Sequence, residues 1–231
     1  MSEMFDRTKM LIGEEAFLKL QNSHVVIFGV GGVGGSAAES LIRSGIGKLT
    51  IVDFDLVDPS NLNRQLLFSQ ENIGQKKVFA AKNHLLALNP KAEIIAIEER
   101  VGEEFFLKHP LQADYFIDAV DDIYAKAAIA RYCIENQQAF LASLGMGNRL
   151  IPGGFKQLNL NQTQNDPLAR KLRHFFKEKG IDLKKVPCVQ ALNGPDVVSQ
   201  TPASMMFVPS SAGLFISACA IKHLVKSGKE D

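Results

Sequence analysis

The sequence predicts an α/β fold: a doubly wound, mostly parallel sheet with helices on both faces and a small C-terminal extension of the sheet. Three observations predict it. Short apolar runs of strand length alternate with helical periodicity through the first two-thirds of the chain. A glycine loop, Gly29-Val30-Gly31-Gly32-Val33-Gly34, closes one such run and opens a helix. Asp53 ends the next run, about twenty residues later, where Rossmann-like units bind a ribose.

The elements follow in order. Glu14–Gln21 reads as a short helix, and His24–Phe28 as a strand centred on Val25, Val26 and Ile27. The helix after the glycine loop runs from Gly34 to Gly45. Gly29 permits a tight turn, Gly31 and Gly32 let backbone amides approach an anion, and Gly34 lets the helix pack against the strand. Lys48–Val52 is the second strand, followed by a polar loop to Gln65. Gln75–Leu88 is helical until Asn89-Pro90 stops it. Glu93–Glu98 is a strand, Glu103–Lys108 a helical turn, Tyr115–Val120 a buried strand, Asp122–Glu135 a helix and Phe140–Leu144 a further strand. Apolar strands of this kind form a parallel sheet covered on both faces, with ligands at the carboxyl ends. Asp53, Asp55, Asp118 and Asp121 fall at or just beyond such ends.

After Gly145 the pattern becomes loop-rich. Phe155–Leu160 reads as a strand, Pro167–Lys179 as a helix and Val186–Gln190 as a strand. Gly194 and three prolines punctuate Asn193–Pro209, and Ser210–Lys226 is the final helix. The expected organisation is one domain over 1–231. Its nucleotide-binding core is 1–145, and 146–231 is an extension with a crossover segment and the final helix.

Composition bounds the function. With 231 residues, 46% hydrophobic, the chain is long enough for one sizeable core. A formal charge of +1 sets up no global field toward nucleic acid. Cys133, Cys188 and Cys219 are odd in number and far apart, so a four-thiolate zinc site is excluded and a reduced, cytoplasmic compartment fits best. Met1–Arg7 carries acids and no apolar core, so it does not read as a signal peptide. The longest apolar stretch, Ala212–Ile221, is too short for a membrane span and reads as a buried helix.

The polar run is the more specific signal. Asp53-Phe54-Asp55-Leu56-Val57-Asp58-Pro59-Ser60-Asn61-Leu62-Asn63-Arg64-Gln65 places an acidic pair at a strand end, then Asn, Asn, Arg and Gln. Hydride transfer to a nicotinamide cofactor has no use for such a run. Attack of a carboxylate on the α-phosphate of ATP does, because two anions meet and cationic side chains must offset their repulsion. Little general base is needed, since the attacking carboxylate is already ionised at neutral pH.

These residues carry a resemblance. Gly-x-Gly-Gly-x-Gly at 29–34, Asp53-x-Asp55-x-Val57, Ser60–Gln65, Gly74-x-x-Lys77 and Asp118-Ala119-Val120-Asp121-Asp122 resemble the ubiquitin-activating-enzyme superfamily of ThiF-type adenylating proteins, over about residues 5–145. Asn165–Arg173, Ala38-Glu39, Arg43–Gly47 and Ile117–Asp121 are similar to its branch that dehydrates threonylcarbamoyladenosine in tRNA. The resemblance implies a cytoplasmic homodimer that uses ATP and Mg2+ to adenylate a carboxylate, with 1–145 as the ATP-binding core and tRNA bound as substrate. It further implies that Gly29, Gly31, Gly32 and Gly34 hold the triphosphate region and that Asp53, with Asp55 beside it, binds the ribose. Asn61, Arg64 and Lys77 then surround the phosphates, with Gln65 beside them, and Ser60 and Asn63 belong to the same nucleotide-binding set. Asp121 takes magnesium and Asp122 lies next to the nucleotide. Arg7 resembles an arginine that reaches the partner's ATP across a dimer interface, so the catalytic set is Arg64, Lys77, Asp121 and Arg7.

Taken singly, several of these residues have plainer readings. Arg64 reads also as a surface ion pair, Lys77 as a solvated lysine beside Lys76, Asp118 as a buried strand-end cap and Asp121 as a helix N-cap. Cys188 reads as a small buried hydrophobe rather than a thioester cysteine, and Cys219 as core. The branch often carries a cysteine shortly before the final helix; Met205–Ser211 has none, which counts against a thiol-dependent step. The expected tRNA footprint is Arg170–Lys185, with Arg170, Lys171, Arg173 and Lys177 foremost, which reads equally as a solvated helix face. Two other functions stay open. One is activation of the C-terminal carboxylate of a ubiquitin-like sulfur carrier, which makes such a protein or a sulfur-transfer protein a partner. The other is a non-catalytic nucleotide-binding scaffold.

Overall fold

The computed structural model describes residues 3–199 and 202–226. Two short helices, α1 (Asp6–Ile12) and α2 (Glu14–Asn22), precede β1 (His24–Phe28), α3 (Gly32–Ser44) and β2 (Lys48–Val52). Then come α4 (Lys77–Leu88), β3 (Glu93–Ile97), α5 (Phe105–Lys108), β4 (Tyr115–Asp118), α6 (Ile123–Glu135) and β5 (Phe140–Ser143). The C-terminal part holds β6 (Phe155–Asn159), α7 (Pro167–Glu178), β7 (Pro187–Ala191) and α8 (Phe207–Lys226).

All seven strands form one sheet in the order β3-β2-β1-β4-β5-β7-β6, parallel throughout except where β6 runs against β7. This is the predicted doubly wound, Rossmann-like sheet with its small extension. Strand alternation divides the core in two. Val25 and Ile27 of β1 pack with α2, α3, α4 and α8, while Val26 and Phe28 pack with α5, α6 and α7. Helices therefore cover both faces, which is why the strands are apolar throughout.

The boundaries differ from expectation for local reasons. Helix α3 begins at Gly32 rather than Gly34, because only Gly29 of the loop takes a left-handed turn, at φ 86°. Helix α4 begins at Lys77, since Lys76 bridges to Leu56 and Val57 donates to the Gln75 carbonyl at 2.8 Å. Helix α8 begins at Phe207, with Pro209 in its first turn, where a missing N–H costs nothing. Helix α1 had no periodic signal, and Met10 and Leu11 on it are exposed.

At twenty residues α8 is long and apolar enough to cross a membrane by length and composition. In the fold, one face lies on α3: a Cβ at Gly213 would sit 2.3 Å from the Val33 carbonyl oxygen. Cys219, expected in the core, is only partly buried on α8.

Candidate active site

The strand order reverses between β1 and β4. Their following loops diverge there and leave a crevice at the carboxyl edge of the sheet. A cavity of about 690 Å³ occupies it. The glycine loop, the end of β2, Arg64-Gln65, Lys77, the turn after β4, the loop after β5 and the start of α7 line it.

The glycine loop is held by steric exclusion. A Cβ at Gly29 would lie 2.9 Å from the Ala119 carbonyl oxygen, and one at Gly34 only 1.8 Å from the Gly29 carbonyl oxygen. Gly34 thus lets α3 start hard against β1, while Gly31 and Gly32 line the cavity. Asp53 ties this loop to β2: its carboxylate accepts the Val30 amide at 2.9 Å and the Asp55 amide at 2.9 Å.

Lys77 is buried rather than solvated, with 6% of its surface exposed. Its ammonium donates to Asp55 Oδ2 at 2.7 Å and its amide to the Asp55 carbonyl at 3.0 Å. Arg64 lines the cavity and makes no carboxylate pair among the described residues. It donates to the Ser60 carbonyl at 2.6 Å and to Asn63 Oδ1 at 2.9 Å. Gln65 is buried beside it, with an Oε1 that has no hydrogen-bond partner among the described residues.

The rest of the polar run faces elsewhere. Asn61 Oδ1 accepts the Asp58 amide at 3.2 Å, and Asp58 accepts the Ser60 amide at 2.8 Å, a reciprocal cap on the 3-10 turn Pro59–Asn61. Asn63 donates to the Ser204 carbonyl at 2.8 Å. Ser60, Asn61, Asn63 and Gly34 lie outside the cavity lining; they build the loops that present Arg64, Gln65 and the other glycines.

Asp121 is exposed on the turn after β4 and lines the cavity. The N-cap of α6 is its neighbour Asp122, whose Oδ1 accepts the Tyr124 amide at 2.8 Å. Asp122 Oδ2 also meets Arg100 at 2.8 Å, and Arg100 stacks over Phe54 at 5.1 Å. Burial pushes the Asp122 carboxyl up, but the Arg100 hydrogen bond and the helix amides outweigh it and hold it below the usual range. The capping role expected of Asp121 therefore falls one residue later.

Two buried cations, one lining the cavity and one behind it, carried no sequence signal. Lys126 on α6 pairs with Asp118 at 3.0 Å. Arg149 donates to the carbonyls of Gly145, Gly147 and Asn193 at 2.7, 3.0 and 3.0 Å and lies 3.8 Å from Asp166. Asp166 in turn caps α7 through the Ala169 amide at 2.8 Å. A lysine within an alanine-rich helix and an arginine in an aperiodic loop look solvated until the tertiary fold covers them.

On α7, Arg170, Lys171 and Lys177 are exposed, and Lys171 also lines the cavity. Arg173 turns inward and donates to the Thr163 carbonyl at 2.9 Å, so it leaves the expected RNA-facing set. Arg7 is exposed on α1 and does not line the cavity of its own chain.

Cys188 is buried on β7, where burial pushes its thiol up to about 12. Burial raises Cys133 as well. A buried, neutral thiol is a poor nucleophile. Iodoacetamide at pH 8 is expected to label Cys219 first and Cys133 and Cys188 only on unfolding, read by peptide mass spectrometry. Rapid native labelling of Cys188 would restore a thiol role.

Known proteins resemble this chain over nearly its whole length. The ThiF family matches residues 5–167. The tRNA threonylcarbamoyladenosine dehydratase of Bacillus subtilis (strain 168) is 34% identical, over 98% of this chain and 96% of its own length. The protein of the same name from Escherichia coli (strain K12) is 32% identical, over 98% of this chain and 82% of its own. A crystal structure of the E. coli tRNA N6-threonylcarbamoyladenosine dehydratase in complex with ATP superposes with a TM-score of 0.91 at 29% identity, covering 99% of this chain and 96% of that one.

Proposed function

The chain belongs to the ThiF family, and on that premise we propose that it adenylates a carboxylate with ATP. The carboxylate is the threonyl group of threonylcarbamoyladenosine in tRNA, which the enzyme then closes into a ring with net loss of water. One observation carries the reading. A single cavity at the switch point brings the glycine loop, Asp53, Arg64, Lys77 and Asp121 together, in a chain that matches a dehydratase over 98% of its length.

Gly29, Gly31 and Gly32 present backbone at the triphosphate, and the carboxylate of Asp53, fixed by two amides, accepts from the ribose. Arg64 and Lys77 flank the phosphates, with Asp55 holding the Lys77 ammonium in place. As the substrate carboxylate attacks the α-phosphorus, their charge offsets the repulsion between two anions, and pyrophosphate leaves. The carbamoyl group of the same nucleoside then attacks the activated carbonyl, the ring closes and AMP leaves.

Asp121, free of the capping role, would hold magnesium, which neutralises phosphate charge when bound. No cluster of three or more His, Cys, Asp or Glu that could hold a metal occurs among the described residues. Magnesium commonly takes one or two protein carboxylates, with phosphate oxygens and water as its other ligands, and Asp121 offers an exposed carboxylate on the cavity wall. Asp122 lies beside the nucleotide. Residues 1–145 serve as the ATP-binding core and 146–231 as the extension. Arg170, Lys171 and Lys177 form the tRNA-facing surface, and the enzyme is a cytoplasmic homodimer in which Arg7 serves the partner's site.

The test is to incubate the protein with ATP, Mg2+ and tRNA bearing the nucleoside, then digest the tRNA and weigh its nucleosides. ATP-dependent loss of one water, with one AMP per event, is the expected result. ATP binding without any mass change would overturn the acceptor and point to a carrier protein ending in Gly-Gly.

A further inference from the structure

Lys126 lies in the core with 1% of its surface exposed. Its ammonium donates to Asp118 Oδ1 at 3.0 Å and to the Ser143 carbonyl at 2.7 Å. Asp118 Oδ1 also accepts the Val120 amide at 3.2 Å. Asp118 ends β4 and Ser143 ends β5, so these three hydrogen bonds meet where two neighbouring strands stop. The residues just beyond, Ala119–Asp122 and Leu144–Arg149, form two walls of the cavity. Lys126 itself does not line that cavity; it is enclosed by Leu144, Leu160, Leu172, Phe176 and Cys188.

Stability does not explain such a pair. Well-packed apolar side chains of similar volume commonly serve as well or better than a buried ion pair. Geometry does explain it. The turn after β4 is pinned at its start by the Ala119 amide, which donates to the Phe28 carbonyl at 2.9 Å. It is pinned at its end by the Asp122 cap. Between them, the Asp118 carboxylate orients the Val120 amide, and Lys126 orients that carboxylate.

We propose that Lys126 is a positioning residue: through Asp118 it fixes the Val120–Asp121 turn so that Asp121 faces the nucleotide phosphates and their magnesium. The proposal rests on the metal role given to Asp121 above. Its test measures binding of a fluorescent ATP analogue, in EDTA and across a Mg2+ titration, beside thermal melting. Asp121→Ala is expected to remove the Mg2+-dependent gain in affinity. Lys126→Met is expected to leave affinity in EDTA unchanged and to raise the half-saturating Mg2+ about tenfold, the lower range for residues that support a metal ligand. Added to Asp121→Ala, it should change nothing further.

A lowered Tm with unchanged Mg2+ half-saturation would make Lys126 merely structural and overturn the proposal. Asp121→Ala behaving as wild type would overturn the metal assignment and this proposal with it. Should Lys126→Met fail to fold, Asp118→Asn keeps the volume and removes the charge. It should shift Mg2+ half-saturation in the same direction, and no shift would overturn the proposal.

Discussion

Replacing Lys77 with methionine should slow pyrophosphate release about a hundredfold or more at saturating ATP and tRNA. Removing one preorganised electrostatic contact from a developing charge typically costs about 2.7–4 kcal/mol of barrier. Methionine retains most of the buried stem, so packing changes little. Asp55, the partner left behind, keeps 45% of its side chain exposed and regains water. Tm should therefore stay nearly constant while kcat falls, and ATP affinity should fall less than kcat, because the charge being stabilised grows only in the transition state. A coupled pyrophosphate assay beside a melting curve measures both. Wild-type kcat in Lys77→Met would reduce Lys77 to an ion-pair partner of Asp55.

Gly34→Ala is expected to damage fold and site together. The added carbon would lie 1.8 Å from the Gly29 carbonyl oxygen, an atom of backbone. Gly29 has no room to retreat, because it already approaches Ala119 in its left-handed turn. Helix α3 must back away from β1 and carry the Gly31 and Gly32 amides with it. Overpacking of this kind costs about 1–3 kcal/mol or more, which in a chain of this size lowers Tm by roughly 3–10 °C. ATP affinity should fall more than tenfold, since the amides no longer converge. Gly31→Ala is the control: its added carbon meets only Gln65 Nε2, at 3.7 Å. It should keep Tm while still crowding the cavity. An unchanged Tm and ATP affinity in Gly34→Ala would show that the loop relaxes freely and refute the packing role.

The strands and the glycine loop were legible because their signals are local. Short continuous apolar runs mark strands buried on both faces wherever they occur, and the spacing from Gly29 to Asp53 follows from one helix and one strand of ordinary length. The polar run was legible as a cluster but not as a set of directions. A single 3-10 turn at Pro59–Asn61 sends Asn61 inward as a cap and leaves Arg64 and Gln65 on the cavity wall. One residue's difference in helix start made Asp122 rather than Asp121 the cap.

By itself, the sequence determined the doubly wound sheet, the glycine loop that joins β1 to α3 and the carboxyl edge of the sheet where the cavity lies, because periodicity and glycine spacing act within a few residues. Only the tertiary structure decided that Lys77 is buried on Asp55, that Arg173 turns inward to Thr163, and that Lys126 behind the cavity and Arg149 in its wall tie strand ends and loops together. A charged side chain reads as solvated from its neighbours in the chain. Whether it is covered depends on strands and helices dozens of residues away that close over it.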